Sequence, residues 1–564
     1  MTTTTTVPSP PAASRAVRGT LVALLLRVVS FVCTQATFRL VPVSVLGQAH
    51  VELELVATSI LFFSREGFRL VLSQRYDAAV AQYTVLVHTV MAFLCATYYT
   101  VLWTGTDDDA TNDDTAAAIL WSLYPYQQAA VLYCLAAWME GWAEPRILYC
   151  LSTLQTTVKA SAEGIGTIAK TMGGVVLLTT VAGPRVSPVT CFGLAQVLYA
   201  IVYNVVVVLM TRTQTNAIRN TTTMTTTTEG DGQEATTTTT TTTSPYSLIL
   251  TFTLQGLLKH ALTEGDRFVL RAISANYDQG LYVIGSSYGG MAARLLLQPL
   301  EENARLLWTI QSNNSPQESQ SLTRSFTSLL RFVLCIGLLF ATIAVHYTHV
   351  LMVLLGQTTK AAPVVSAFCV LTACLALNGT AEAFVYGVVA RNAQQVAQLS
   401  MAQTMVGLLY FGMAPYCVQY YHGTVGLVLA NTVCTGLRAV WALYMASRYM
   451  QMSIWQLLSS IVSSSLSSSS QQQYTGSGIV LWLAFGVAYM ATRWSEMRYN
   501  DTFHTMDVDT MERSREWWTA ASRHVGVGVA SVAGIVATLV LLERVYLTQL
   551  RDLFGNKSHK AKQE

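Results

Sequence analysis

Long windows with almost no charge, such as Leu21–Leu40, Ala78–Trp103, Phe326–Leu355, Thr424–Tyr444 and Val525–Leu542, recur along this chain. Each is close to or beyond the roughly 20 residues that carry an α-helix across a hydrocarbon core. Lipid offers no hydrogen-bond partner to an exposed backbone, so segments of this kind span as helices. Composition agrees. Apolar residues make up 52% of the 564 and charged residues 12%, about half the charged share of a soluble domain, and the mean hydropathy is +0.40. The fold expected is an all-α polytopic membrane protein.

Apolar windows fall near 19–41, 48–64, 78–103, 116–139, 147–162, 164–183, 189–211, 246–270, 279–300, 326–355, 363–390, 399–421, 424–446, 478–492 and 523–543. The window 147–162 is short and carries Lys159, and merging it into the connection before 164–183 leaves about fourteen spans. Arg15, Arg18, Arg65, Arg69, Arg75, Arg146, Lys159, Arg212, Arg219, Arg305, Arg324, Arg391 and Arg448 then share the side of the N-terminus. Positive residues concentrate on the cytosolic side, so both termini are expected there. The stretch Arg493–Arg523 runs against this pattern. Met1–Arg18 is rich in Thr and Pro, and Leu21–Leu40 is expected to be the first span rather than a signal peptide. Among the sequons Asn220, Asn313, Asn378, Asn500 and Asn556, only Asn500 falls on the expected lumenal side.

The domains expected are a disordered cytosolic segment 1–18, a first helical bundle 19–211, a Thr-rich cytosolic linker 212–245, a second bundle 246–448, a Ser/Gln-rich linker 449–477, two additional transmembrane helices 478–545 and a cytosolic tail 546–564. The halves also resemble each other locally. Met139-Glu140-Gly141-Trp142-Ala143-Glu144 aligns with Leu377-Asn378-Gly379-Thr380-Ala381-Glu382, and Ser64-Arg65-Glu66-Gly67 aligns with Leu300-Glu301-Glu302-Asn303 at the same separation to within two residues. Two matches in one register point to two homologous six-helix bundles, a frequent transporter layout in which one half rocks against the other.

Charge inside or beside the apolar windows is costly and usually faces a polar cavity or a partner. The positions concerned are Arg27, Glu52, Glu54, Lys259, Glu264, Asp266, Arg267, Arg271, Arg294 and Glu382. Lys259, Arg267, Arg27 and Arg294 are read as lining a basic cavity, because guanidinium groups grip phosphate oxygens in pairs and a pyrophosphate head group suits them. Snorkelling to the interface or a structural ion pair is the plainer reading for each. The run Gly285, Ser286, Ser287, Gly289, Gly290, Ala292 and Ala293 is read first as a close helix contact and second as a flexible cavity wall. Trp138, Trp142, Tyr282, Tyr288 and Tyr386 suit either sugar stacking or interfacial anchoring.

The net charge of +3 is too small to argue for nucleic acid, and the ten cysteines lack metal-ligand spacing. No G-x-x-x-x-G-K-[ST] loop or H-E-x-x-H motif occurs, and no serine nucleophile elbow is expected. The chain reads as a transporter rather than an enzyme, with no cofactor and no metal.

Four segments closely resemble the eukaryotic Rft family: Phe63-Ser64-Arg65-Glu66-Gly67-Phe68-Arg69, Leu262-Thr263-Glu264-Gly265-Asp266-Arg267-Phe268-Val269, Asp278-Gln279-Gly280-Leu281-Tyr282, and Ala293-Arg294-Leu295-Leu296-Leu297-Gln298-Pro299-Leu300-Glu301-Glu302. The resemblance covers most of 20–545. It implies membership of the multidrug/oligosaccharidyl-lipid/polysaccharide exporter superfamily: a V-shaped fold of two six-helix bundles with two extra C-terminal helices. It also implies an endoplasmic reticulum address and flipping of the dolichol-pyrophosphate-linked oligomannose used in N-linked glycosylation, with other glycosylation-pathway membrane proteins as further candidate partners. On that reading Arg27, Lys259, Arg267 and Arg294 hold the pyrophosphate and Arg65 and Arg69 guide it from the cytosolic mouth. Glu66, Glu144, Glu264, Asp266, Glu301, Glu302 and Glu382 then gate the bundles or keep them in register. The rival readings are a non-transporting accessory protein in lipid-linked oligosaccharide assembly, a cation-coupled exporter of the same fold, and a membrane glycosyltransferase using the acidic run Asp107–Asp114.

Overall fold

A computed structural model of the chain describes residues 31–72, 76–102, 124–153, 156–183, 186–212, 245–291, 293–314, 319–389, 393–421, 423–462, 475–504 and 515–542. Arg27, the Thr-rich segment, residues 463–474 of the Ser/Gln-rich linker and the acidic run Asp107–Asp114 lie outside these residues, as does the side chain of Lys259. Among the described residues the secondary structure is helical apart from a single bridge between Gly183 and Val186.

After a helical stretch over 31–40 come α1 (Val43–Leu72) and α2 (Ala78–Val101). There follow α3 (Pro125–Gly141), α4 (Glu144–Ser152), α5 (Thr156–Thr180), α6 (Pro188–Thr211), α7 (Pro245–Thr263), α8 (Gly265–Ile273) and α9 (Asn276–Gly289). The remainder is α10 (Gln298–Asn314), α11 (Ser319–Thr342), α12 (Thr348–Leu354), α13 (Ala362–Phe384), α14 (Ala393–Tyr420), α15 (Thr424–Tyr449), α16 (Ile454–Val462), α17 (Thr475–His504) and α18 (Arg515–Leu542).

Local chemistry sets many of the ends. Asp77 caps α2 by accepting the backbone N–H groups of Ala79 at 2.8 Å and Val80 at 3.2 Å. Pro125 and Pro188 open α3 and α6, where the missing N–H costs nothing. After α12, Gly356 takes φ 62°, and Gln357 N–H reaches Met352 O at 2.8 Å, the left-handed stop that favours glycine.

The described helices include seven that are long and apolar enough to cross a membrane, from Val43–Leu72 to Arg515–Leu541. Large apolar side chains such as Phe93, Val529 and Leu541 are more than 60% exposed on them, the outward face expected of helices that meet lipid rather than water. The short window 147–162 forms no span of its own. Its residues are shared between α4 and the start of α5. The sequon residue Asn378 is buried within α13, and Asn500 lies within α17 rather than on a loop.

The chain divides into two compact units after Gly280, so the packing boundary falls beyond the Thr-rich segment. Helices α7 and α8 therefore pack with the helices that precede that segment. Gly67 of α1 makes this possible, because a Cβ there would collide with Thr253 Oγ1 and Ile249 O of α7.

The second unit is built around Trp308, Phe326 and Phe384, all buried, with ring centroids 4.3 to 5.7 Å apart. In the same unit Gly285 and Gly289 of α9 lie against Val364 and Phe368 of α13, where a Cβ would overlap either side chain. The small-residue run is thus a helix-packing face, and Tyr282 and Tyr288 are buried with it. Gly285-Ser286-Ser287-Tyr288-Gly289 has the G-x-S-x-G spacing but sits inside α9, without the strand-to-helix turn that exposes a nucleophile. The last two helices are fastened to the rest by polar contacts. His524 is fully buried, stacks on Tyr347 at 4.1 Å and bonds Ser495 Oγ at 2.8 Å, while His346 meets Glu496 at 2.7 Å.

Candidate functional site

The first unit holds two charged clusters of different character. One is a carboxylate, Glu54 of α1, approached by cations from two other helices. Lys170 of α5 lies 3.6 Å from Oε1 and Arg267 of α8 lies 3.3 Å from Oε2. His50, one turn earlier on α1, is 3.5 Å from Oε2. Arg267 is steadied on its other arm by Glu264 at 2.7 Å, and the Lys170 ammonium sits 6.0 Å from the Tyr133 ring centroid. Glu54 and Arg267 keep 29% side-chain exposure and Lys170 keeps 18%, enough for a ligand to reach all three.

Backbone irregularities build this cluster. Residues two apart on an α-helix point about 200° apart, yet Glu52 accepts from Gln279 Nε2 at 3.2 Å while Glu54 meets Arg267. The π-helical turn Gln48–Leu53 widens α1 at this point, and such turns are frequent at functional sites. On the other side, the break at Glu264 between α7 and α8 starts a new helix with Asp266 and Arg267 in its first turn. Nearby, Arg271 donates to Tyr99 Oη at 2.9 Å.

The second cluster is closed. Arg65 contacts Glu140 at 3.0 Å and Glu144 at 3.1 Å, and Arg69 Nη2 donates to Glu144 at 2.9 Å. Glu140 is 2% exposed and Glu144 is fully buried. Arg65 and Arg69, expected to guide substrate at an open mouth, are instead consumed in buried pairs that tie α1 to α3 and α4. Gly141 lets the acids approach, since a Cβ there would collide with the buried His88 ring. Glu66, on the same turn of α1, lies against Gly256 of α7.

In the second unit Glu382 of α13 accepts from Arg438 of α15 at 2.9 and 3.1 Å and from Gln403 at 3.2 Å. Tyr386 donates to Gln403 at 3.2 Å. Glu301 places its carboxylate against Gly379, and Glu302 takes a bond from Gln298 at 3.2 Å. Arg294 folds back onto the carbonyls of Ser286 at 3.1 Å and Ser287 at 2.9 Å, capping the end of α9.

Among the described side chains expected to hold pyrophosphate, Arg267 is the one in a partly open cationic cluster; Arg27 and the Lys259 side chain lie outside the described residues. Lys170, His50, Glu140 and Arg438 were missed by sequence reasoning. Lys170 and Arg438 carried the same signal as Arg267, a charge inside an apolar window, and Glu140 sits at the end of one.

Among solved structures, a lipid II flippase MurJ in an inward closed conformation matches with a TM-score of 0.52 at 12% identity, covering 91% of this chain and 98% of that one. The likeness establishes a shared fold. Among curated proteins, the Man(5)GlcNAc(2)-PP-dolichol translocation protein RFT1 of Yarrowia lipolytica is 27% identical over 457 residues, 73% of this chain and 66% of that one. The proteins of the same name from Xenopus tropicalis and Mus musculus are 25% and 24% identical, each match covering 82% of the relative and 77% or 78% of this chain. Residues 16–552 match the family described as Rft protein, and with nearly the whole helical chain inside that match, the chain belongs to the Rft family.

Proposed function

We propose that this protein translocates a dolichol-pyrophosphate-linked oligomannose from the cytosolic to the lumenal leaflet of the endoplasmic reticulum membrane for N-linked glycosylation, with both termini cytosolic. Family membership, relatives named for translocating such a lipid and a fold shared with a lipid flippase support the reading. The observation that carries it is the pair of cations, Lys170 and Arg267, brought together around Glu54 from two separate helices with part of their surface open. A diphosphate diester presents charge and oxygen acceptors on two adjacent phosphorus atoms. Two cations from different helices match that better than a single surface arginine does.

Reconstituting the purified chain in vesicles with fluorescently labelled dolichyl-diphosphate oligosaccharide tests the proposal. Label in the inner leaflet should become accessible to an outside quencher faster than in empty vesicles, and the gain should be lost with Arg267→Ala. Unchanged sidedness of the label would replace a carrier with an accessory protein that presents the lipid to other enzymes.

A further inference from the structure

Lys170 and Arg267 do not wait empty for an anion, because Glu54 stands between them with one carboxylate oxygen toward each. We infer that Glu54 is a built-in competitor for the diphosphate: it occupies the cation pair when no lipid is bound and is displaced when the head group enters. The inference rests on the proposed function and names the regulation of that same site.

Geometry separates this carboxylate from a structural one. Its contacts with Lys170, Arg267 and His50 measure 3.6, 3.3 and 3.5 Å, all longer than the 2.7–2.9 Å of a well-formed charge-assisted bond. Glu144 shows the other limit, with no exposure, a 2.9 Å bond from Arg69 and a second arginine at 3.1 Å. A loose, partly hydrated pair is worth little and exchanges partners cheaply, whereas stripping a buried carboxylate of its arginines leaves an unpaired charge in a dry interior.

The cations are also held ready for the exchange. Nη1 of Arg267 donates a short bond to Glu264 while Nη2 donates to Glu54, and the first bond need not break for Nη2 to change partner. Lys170 has a second contact besides Glu54, over the Tyr133 ring at 6.0 Å from its centroid. Once displaced, the Glu54 carboxylate has His50 one turn away on its own helix. A competitor of this kind keeps two partly exposed cations neutralised in the empty carrier. It also weakens the grip on the head group, which favours release on the far side.

Binding to the full chain in lipid nanodiscs tests the inference, with dolichyl diphosphate, dolichyl monophosphate and inorganic pyrophosphate as probes. Glu54→Gln, which keeps the shape and removes the competing charge, is expected to tighten dolichyl diphosphate about fivefold at low salt, with a smaller gain for the monophosphate. The gain should shrink as ionic strength rises. Lys170→Ala should weaken diphosphate binding and cancel the gain when combined with Glu54→Gln. Tightening of inorganic pyrophosphate as well would place recognition in the head group alone, and tightening of the lipid only would show that the tail must dock first; both support the inference. Glu54→Asp retains the charge and controls for folding, and its affinity should stay near that of the unaltered protein. Unaltered protein that binds diphosphate lipid, together with a folded Glu54→Gln variant that binds it equally or more weakly, overturns the competitor role and leaves the proposed function standing. Unaltered protein that binds none of the three probes overturns both.

Discussion

The two halves of the chain meet the same helix contact with opposite charges. In the first, Arg65 lies against Glu140 and Glu144, with Gly141 between them and Arg69 completing the pair. At the matching positions of the second half stand Glu301, Asn378, Glu382 and Gly379. The arginine has become an acid, one of the acids has become an amide, and Glu382 takes its cation from Arg438 on another helix. Both glycines still receive a polar side chain from the helix packed on them, His88 at Gly141 and Glu301 at Gly379. The two glycines thus admit different neighbours, a ring from α2 at Gly141 and a carboxylate from α10 at Gly379. The first contact is the drier, with acids at 0% and 2% exposure and arginines at 12% and 21%, whereas the Arg438–Glu382 pair keeps 38% and 15%.

A dry clasp and a wet one respond differently to loss of a partner. Glu144→Ala strands Arg65 and Arg69 with only Glu140 to share, and should destabilise the first unit by about 3–5 kcal/mol, read as loss of folded protein in detergent unfolding. A cost below about 1 kcal/mol would mean that the first clasp is as solvated as the second. The glycines should rank next. Gly141→Ala pushes a methyl group into the ring of a buried histidine and should cost about 1–3 kcal/mol. Gly379→Ala meets a carboxylate at the end of a flexible side chain, which swings away for less, so equal losses in the two variants would erase the difference between the halves. The smallest effect belongs to Arg438→Gln, expected to cost about 1 kcal/mol or less and to fade in high salt. A salt-independent loss there would show that Glu382 is held as tightly as Glu144.

Membrane residence, the helical class and the family were legible in the chain, because span length and charge content are properties of consecutive residues. The same reasoning located the charges at membrane depth and found Arg267 among them. It did not find the partners. Glu54, Lys170 and Arg267 belong to separate helices, and nothing in the spacing of one apolar window states which charge in another will lie beside it. For that reason Arg65 and Arg69, at the end of an apolar window, looked like a phosphate guide until Glu140 and Glu144 were seen to enclose them. Arg294, for its part, was legible as a charge beside an apolar window, but its bonds to the carbonyls at the end of α9 were not. Even the packing boundary after Gly280 depends on Gly67 admitting α7 against α1, a contact between residues far apart in the sequence. Hydrophobic length is local and was written in the residues, whereas charge pairing at depth is a long-range matter and took its form only when the helices packed.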